Sequence, residues 1–240
     1  MSRTTSASHR ILILLSLVII LILPASACNA VPSSTVPNGS TSLTDAVSQA
    51  TLTRYRPSEI RDYNGARLDP AIGPRDNSIS GVQTVDIAGY RLQIDGLVAS
   101  AVGLTYDEVL ALPVAQRLIT LYCVEGWDAT ILWQGARLAD LIDQAGGAGP
   151  KADTVIFHAV DGYTTSLPLS TILDRDLILA YQSNGLPLPP EMGYPFIVVA
   201  EDKLGYKWAR WVNRIELSDN PEYKGYWEQR GYSNEADLDR

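Results

Sequence analysis

The 240-residue chain is 46% apolar and 19% charged, enough to build a sizeable core as one large domain or two small ones. Its 27 acidic residues against 19 basic ones give a formal charge of −8. That balance excludes nucleic acid or an anionic membrane held by general electrostatic attraction, and an anionic substrate would need a local basic pocket.

Arg3, His9 and Arg10 precede Ile11–Leu23, a run that is apolar except for Ser16. Pro24, Ala25-Ser26-Ala27 and Cys28 follow. Residues 1–27 therefore read as an export signal or anchor: a basic start, a short apolar middle and small residues at the cleavage position. The apolar run is short of the ~20 residues that span a bilayer, although extending it through Ala30 approaches that length. Three fates stay open: ordinary cleavage, an uncleaved anchor, or lipid attachment at Cys28, because small residues before a cysteine resemble a bacterial lipoprotein cleavage site. Residues 28–52 are rich in Ser, Thr, Pro and small side chains and read as a flexible tether. The expected product is an exported, extracytoplasmic domain over 53–240, tethered to a membrane through its N-terminus.

From Thr53 to Ser80 arginines, prolines and glycines show no sustained period, and an irregular run of that length is often functional. "YRLQIDG", from Tyr90, alternates and ends in a turn, as a strand does. "LTYDEVLALP" carries a capping box, Thr105 to Glu108, and stops at Pro113, which predicts a short helix. "RLITLYC" is rich in β-formers and predicts a strand ending on Cys123. "ARLADLIDQAGG" places Leu138, Leu141, Ile142 and Ala145 on one helical face and ends on Gly146-Gly147. "DTVIFHAVDGYTTSLPL" has Asp161-Gly162 between two alternating runs and predicts a hairpin. "LILAYQSNGLPL" carries a second turn at Asn184-Gly185, "PFIVVAE" reads as a buried strand, and the end of "YKWARWVNRIEL" reads as another. Strands and short helices mix without a βαβ rhythm, so the fold class is α+β.

No glycine-rich phosphate loop, zinc spacing or Ser-His-acid set is present, and the histidines are His9 and His158 alone. Chemistry therefore concentrates on Cys123 in "LYCVEGW". Gly126 permits a sharp turn there, and Trp127 and Tyr122 are placed to shape a pocket or to serve as core aromatics. Three readings of Cys123 remain open on these residues: a buried inert thiol, a nucleophile paired with His158, and a thiolate ligand to a metal.

"TLYCVEGW", "ILWQGARLADLIDQAG", "VIFHAVDGYTTSLPL", "LAYQSNGLPLPPEMGYPFIVVAEDKLGYKWARWVNRIEL" and "GYWEQRGYS", in that order, resemble the sulfite oxidase-like family of molybdopterin-binding oxidoreductases. The likeness covers about Tyr90 to Ser233 and is greatest to the small haem-free prokaryotic members, including relatives of the periplasmic methionine sulfoxide reductase subunit. It implies the family's mixed sheets with short helices and one molybdenum–molybdopterin per chain, with Cys123 as the thiolate on the metal. It also implies that "GYKWARW" wraps the pterin tail. Lys207 and Arg210 are then the expected phosphate partners, helped by backbone N–H groups near Trp208 and Ala209. The alternative for Lys207 and Arg210 is the solvated side of an amphipathic strand whose Trp208 and Trp211 pack inward. His158 falls where relatives place a polar group near the pterin, but it equally suits a hydrogen-bonded core histidine. Asn64, Arg61 and Arg67 precede the core where relatives contact the cofactor, and Arg75-Asp76-Asn77 offer the same chemistry.

The family's sulfite oxidases set arginines around a dianionic substrate, whereas Val-Glu-Gly-Trp-Asp follows Cys123 here. A neutral or weakly charged oxo-acceptor, such as a sulfoxide or N-oxide, is therefore the expected small-molecule substrate, and sulfite is disfavoured. No C-x-x-C-H haem signature occurs, so electrons would come from a membrane cytochrome or quinol-linked partner. The signal carries no Arg-Arg pair, unlike the twin-arginine leaders expected of cofactor-loaded exports. Two rivals remain: a cofactor-free binding module on the same fold, and a thiol enzyme using Cys123 and His158.

Overall fold

The computed structural model describes residues 50–72 and 77–238. The leader, Cys28 and most of the tether lie outside that range, as do Arg75 and Asp76.

Two five-stranded sheets share one apolar core. The first runs β10-β9-β6-β5, with β11 also paired to β9. It comprises β5 (Val114–Tyr122), β6 (Asp128–Arg137), β9 (Ile178–Ser183), β10 (Leu186–Pro187) and β11 (Ile197–Val199). The second runs β4-β3-β12-β7-β8. It comprises β3 (Leu92–Gly96), β4 (Val102–Leu104), β7 (Thr154–Ala159), β8 (Thr164–Pro168) and β12 (Val212–Ser218). A small hairpin of β1 (Asp62–Tyr63) and β2 (Ala66–Arg67) stands apart from both. The helices are short: α1 (Tyr106–Leu110), α2 (Leu138–Gln144) and α3 (Leu169–Asp174). This is the expected α+β architecture of mixed sheets.

Local chemistry explains most of these elements. Both arms of the capping box are formed, with Thr105 Oγ1 accepting from the Glu108 N–H (3.2 Å) and Glu108 Oε2 accepting from the Thr105 N–H (2.7 Å). Asn184 (φ 49°) and Gly185 (φ 82°) both take the left-handed conformation that a tight hairpin turn demands. Asn184 does more than turn. Its side chain accepts from the Leu132 N–H (3.0 Å) and donates to the Asp69 carbonyl (2.8 Å), stitching the N-terminal segment to β6. The irregular stretch before Tyr90 is therefore a strap fastened across the first sheet, and Asn64-Gly65 turn its small hairpin.

β6 is the element the pattern does not announce, because Gly135 interrupts "DATILWQGAR". The ladder shifts register between Gln134 and Gly135, and a Cβ at Gly135 would sit 2.0 Å from the Leu179 carbonyl oxygen. The glycine thus permits the close approach of two strands at a bulge. The fully buried Ile131, Leu132 and Trp133 from β6 line the core, each worth about 1.5–3 kcal/mol of transfer free energy.

Candidate active site

β5 and β6 pair from Val114↔Ala136 to Tyr122↔Asp128, which leaves Cys123–Trp127 as the connecting loop. Cys123 N–H donates to the Trp127 carbonyl (2.9 Å) and Gly126 N–H to the Cys123 carbonyl (3.1 Å). Gly126 closes the loop at φ 84°, a conformation that costs a side-chain-bearing residue. A parallel bridge of Tyr122 with Leu204 then brings the chain after Leu204 alongside the cysteine. A Cβ on Gly205 would lie 3.2 Å from the Tyr122 carbonyl oxygen, so glycine keeps that approach open.

The result is a cavity of about 200 Å³ with Cys123, Trp127, Tyr163, Glu191, Arg210 and Trp227 in its wall. Cys123 is a free thiol, half-buried, and its sulfur accepts from Asn77 Nδ2 at 3.2 Å. Burial pushes the Cys123 thiol above its ordinary range, reinforced by the Glu125 carboxylate. The Glu125 backbone N–H, the Asn77 amide and Arg210 pull the other way. A positive metal at the sulfur removes that proton outright. Arg210 stacks its guanidinium 4.7 Å from the centre of the Trp211 ring and donates to the Glu191 carbonyl (2.7 Å). Glu191 is 5% exposed; its Oε1 accepts from Thr51 Oγ1 (2.5 Å), and its Oε2 is buried with no hydrogen-bond partner.

The structure separates the residues singled out in the sequence. Cys123, Trp208 and Arg210 share the cavity wall. Trp208 is a core residue whose Nε1 donates to the Lys203 carbonyl (3.1 Å) and whose backbone N–H is spent on the Gly205 carbonyl (3.1 Å). Ala209 is fully buried, and its carbonyl accepts from Val198.

Lys207 departs from both expectations in its placement: it lies outside the cavity wall and is not on a solvated face. Its fully buried Nζ donates to Glu228 Oε1 (2.6 Å), the Ser166 carbonyl (3.0 Å) and Asn234 Oδ1 (3.2 Å), which uses all three ammonium protons. His158 also lies outside the cavity wall. Its Nε2 sits 2.9 Å from Glu216 Oε2 and 3.2 Å from an Arg214 nitrogen, in a polar cluster on the second sheet that includes Asp95. Nucleophile pairing with Cys123 therefore has no geometric support. Asn64, Arg61 and Arg67 are exposed on and beside the small hairpin, away from the cavity wall. Of the alternatives named for that region, Asn77 reaches the sulfur.

Glu191, Tyr163 and Trp227 carry no local mark that would have singled them out. Glu191 sits in a single 3-10 turn, Pro190–Met192, where the Pro-Pro-Glu wording gives no sign of burial.

These residues suit a metal–pterin cofactor. Among the described residues no group of three His, Cys, Asp or Glu side chains forms a metal site. A lone soft thiolate therefore suits a metal that arrives with other ligands of its own. Arg210 in the same wall offers a cation to a phosphate.

Comparison with known proteins agrees. A family model described as "Oxidoreductase molybdopterin binding domain" matches residues 79–227. The chain is 36% identical over 153 residues to the uncharacterized oxidoreductase YuiH of Bacillus subtilis, covering 63% of this chain and 76% of that one. It is 34% identical over 152 residues to a putative protein-methionine-sulfoxide reductase subunit, YedZ1, of Azospira oryzae, covering 63% and 57%. It is 28% identical over 190 residues to mitochondrial sulfite oxidase of Rattus norvegicus, of which it spans 35%. Among solved structures, the sulfane dehydrogenase SoxCD of Paracoccus pantotrophus superposes with a TM-score of 0.56 at 25% identity, covering 61% of this chain and 41% of that one. A match that spans both sheets and ends on the cavity's Trp227 settles the lineage: the chain belongs to the molybdopterin-binding domain family and is a molybdopterin-dependent oxidoreductase.

Proposed function

We propose that the chain holds one molybdenum–molybdopterin through the Cys123 sulfur and performs two-electron redox or oxygen-atom transfer on a small substrate other than sulfite. The observation that carries this reading is the half-buried thiol in the wall of a cavity that also presents Arg210. The cofactor supplies the redox chemistry when bound. The chain supplies what surrounds it: Cys123 gives an anionic, polarizable donor on a short, hydrogen-bonded loop, Asn77 holds the sulfur, and Arg210 offers charge to the phosphate.

The charge of the wall supports the choice of substrate. Glu125, Asp161 and Glu191 face a cavity with Arg210 as its basic member. A carboxylate at ~4 Å from a unit anion near a protein surface opposes it by about 4 kcal/mol, so a dianion is rejected more strongly than a neutral sulfoxide or N-oxide. The relative named as a protein-methionine-sulfoxide reductase subunit supports the same class. Electrons come from a separate membrane cytochrome or quinol-linked partner, since the chain itself is haem-free on this reading. An N-terminal tether, through lipid at Cys28 or an uncleaved anchor, keeps the exported domain beside that donor by raising effective concentration.

The test is metal and pterin analysis of the full chain made in a host that synthesises the cofactor. About one molybdenum and one pterin per chain are expected, with molybdenum lost from a folded Cys123→Ser variant. Wild-type protein carrying neither would turn the assignment toward a cofactor-free binding module.

A further inference from the structure

The Cys123 sulfur is met by donors from two parts of the chain. Asn77 Nδ2 donates to it at 3.2 Å, and the Glu125 backbone N–H supplies a second donor from within the thiol loop. The Asn77 contact crosses 46 positions of sequence, so the fold makes it and not the loop. Asn77, Ser78 and Ile79 line the same cavity as the sulfur. Just after them, Gln83 Nε2 donates to the Gly81 carbonyl (2.8 Å) and to the Ser80 carbonyl (3.3 Å), which closes the turn that follows this part of the wall.

The chemistry of this donor matters more than its grip. With a metal bound the sulfur is a thiolate, which accepts hydrogen bonds and has none to give. Reversing the amide would set Oδ1 against that anion, so the donating orientation is the one the loaded site requires. An N–H bond to the sulfur draws charge from it and leaves less for the metal. The electron-poor oxidised metal loses more by this than the reduced one, so the bond favours reduction. Asparagine exerts the pull without a net charge. A lysine or arginine in its place would pull harder, but it would also attract the dianion that Glu125 and Asp161 in the wall oppose.

We propose that Asn77 is a redox-tuning residue, which raises the reduction potential of the metal through its hydrogen bond to the Cys123 sulfur. The inference rests on the molybdopterin reading of the site. Asn77 acts through the cysteine, as a positioning residue. The step it biases is the gain of one electron by the metal from the external donor. The sulfur stays a thiolate throughout, and Asn77 keeps both amide protons.

Two measurements test it. In the first, holoprotein of the wild type, Asn77→Ala and Asn77→Asp is titrated electrochemically while EPR follows the one-electron state of the metal. Alanine removes the donor, and aspartate keeps the shape but presents acceptors alone. At a fixed ambient potential the reduced-to-oxidised ratio should fall about tenfold in Asn77→Ala, or about 59 mV for a one-electron couple, and further in Asn77→Asp. Potentials that are unchanged or raised would overturn the inference, whatever happens to turnover. A side chain that merely braced the loop would give that result: variants poorer in metal or less stable, with the metal they keep titrating as in the wild type. The second measurement needs no substitution. Wild-type holoprotein made with asparagine carrying the heavier nitrogen isotope in its side chain should show one coupling to that nucleus in pulsed EPR, transmitted through the sulfur. Its absence would equally overturn the inference. A wild type that holds neither molybdenum nor pterin defeats the molybdopterin reading instead, so the two failures are distinguishable.

Discussion

Replacing Lys207 with methionine separates a structural cation from a cofactor-binding one. The ammonium is fully buried and donates to Glu228, to the Ser166 carbonyl and to Asn234. Its pKa lies below the ordinary lysine range because burial outweighs the support it draws from Glu228. Methionine fills a similar volume but leaves Glu228 with Thr165 as the remaining donor to Oε1 (2.6 Å), while Oε2 already lacks a partner. Breaking a buried pair in this way costs about 3–5 kcal/mol. For a domain of this size each kcal/mol lowers Tm by ~2–4 °C, so Lys207→Met should melt about 6–20 °C below the wild type. Adding Glu228→Leu removes the stranded carboxylate and should recover most of the loss. Thermal unfolding of the cofactor-free full chain supplies the three curves, and pterin content of the holoproteins is read at a temperature where all are folded. Pterin retention near the wild-type level is expected. A Lys207→Met protein that is nearly as stable as the wild type but cannot hold pterin would refute the reasoning and restore the lysine as a phosphate contact.

In the cofactor-free chain, the pH midpoint of Cys123 alkylation by iodoacetamide should lie above that of a cysteine peptide, and Asn77→Ala should raise it further by removing a hydrogen bond that favours the thiolate. Because the folded thiol keeps its proton past the pH at which an unfolded cysteine loses it, stability should fall as pH rises from the unfolded midpoint to the folded one, and chemical denaturation across that window checks the sign. Gly135→Ala should destabilise the apo chain by ~3 kcal/mol, since its Cβ would meet the Leu179 carbonyl oxygen at 2.0 Å and the Ala180 Cα at 2.6 Å; a loss below 1 kcal/mol would show that the bulge yields.

Much of the framework was legible where the chemistry is local. The Thr105–Glu108 box, the glycine-bearing turns at Asp161-Gly162 and Asn184-Gly185, and the Leu138, Leu141 and Ile142 stripe each form what their spacing predicts. Legibility ends where a distant partner decides. Lys207 reads as an available cation, yet Glu228 and Ser166 absorb it, and neither is near it in the chain. The end of "YKWARWVNRIEL" forms the expected strand from Val212, but the amphipathic-strand alternative for Lys207 and Arg210 fails, because a 3-10 turn occupies Gly205–Lys207 and Trp211 takes φ 56°. His158 shows the same limit, since its neighbours Arg214 and Glu216 arrive by strand pairing. The likeness to relatives located the cysteine, but no pattern along the chain marks Glu191 as buried, because its burial is made by Thr51 and the Arg210 segment.

β12 lies beside β3, with Arg214–Leu217 in parallel register to Gln93–Gly96, and the cavity wall draws on Cys123 as well as on Arg210 and Trp227. A ribosome that has made only the first half of the chain has therefore made a thiol loop without the rest of its chamber. Loading with metal and pterin must wait until the segment that carries Arg210 and Trp227 has been made. Any cellular machinery that delivers the cofactor then meets both sheets already made, rather than the thiol loop alone.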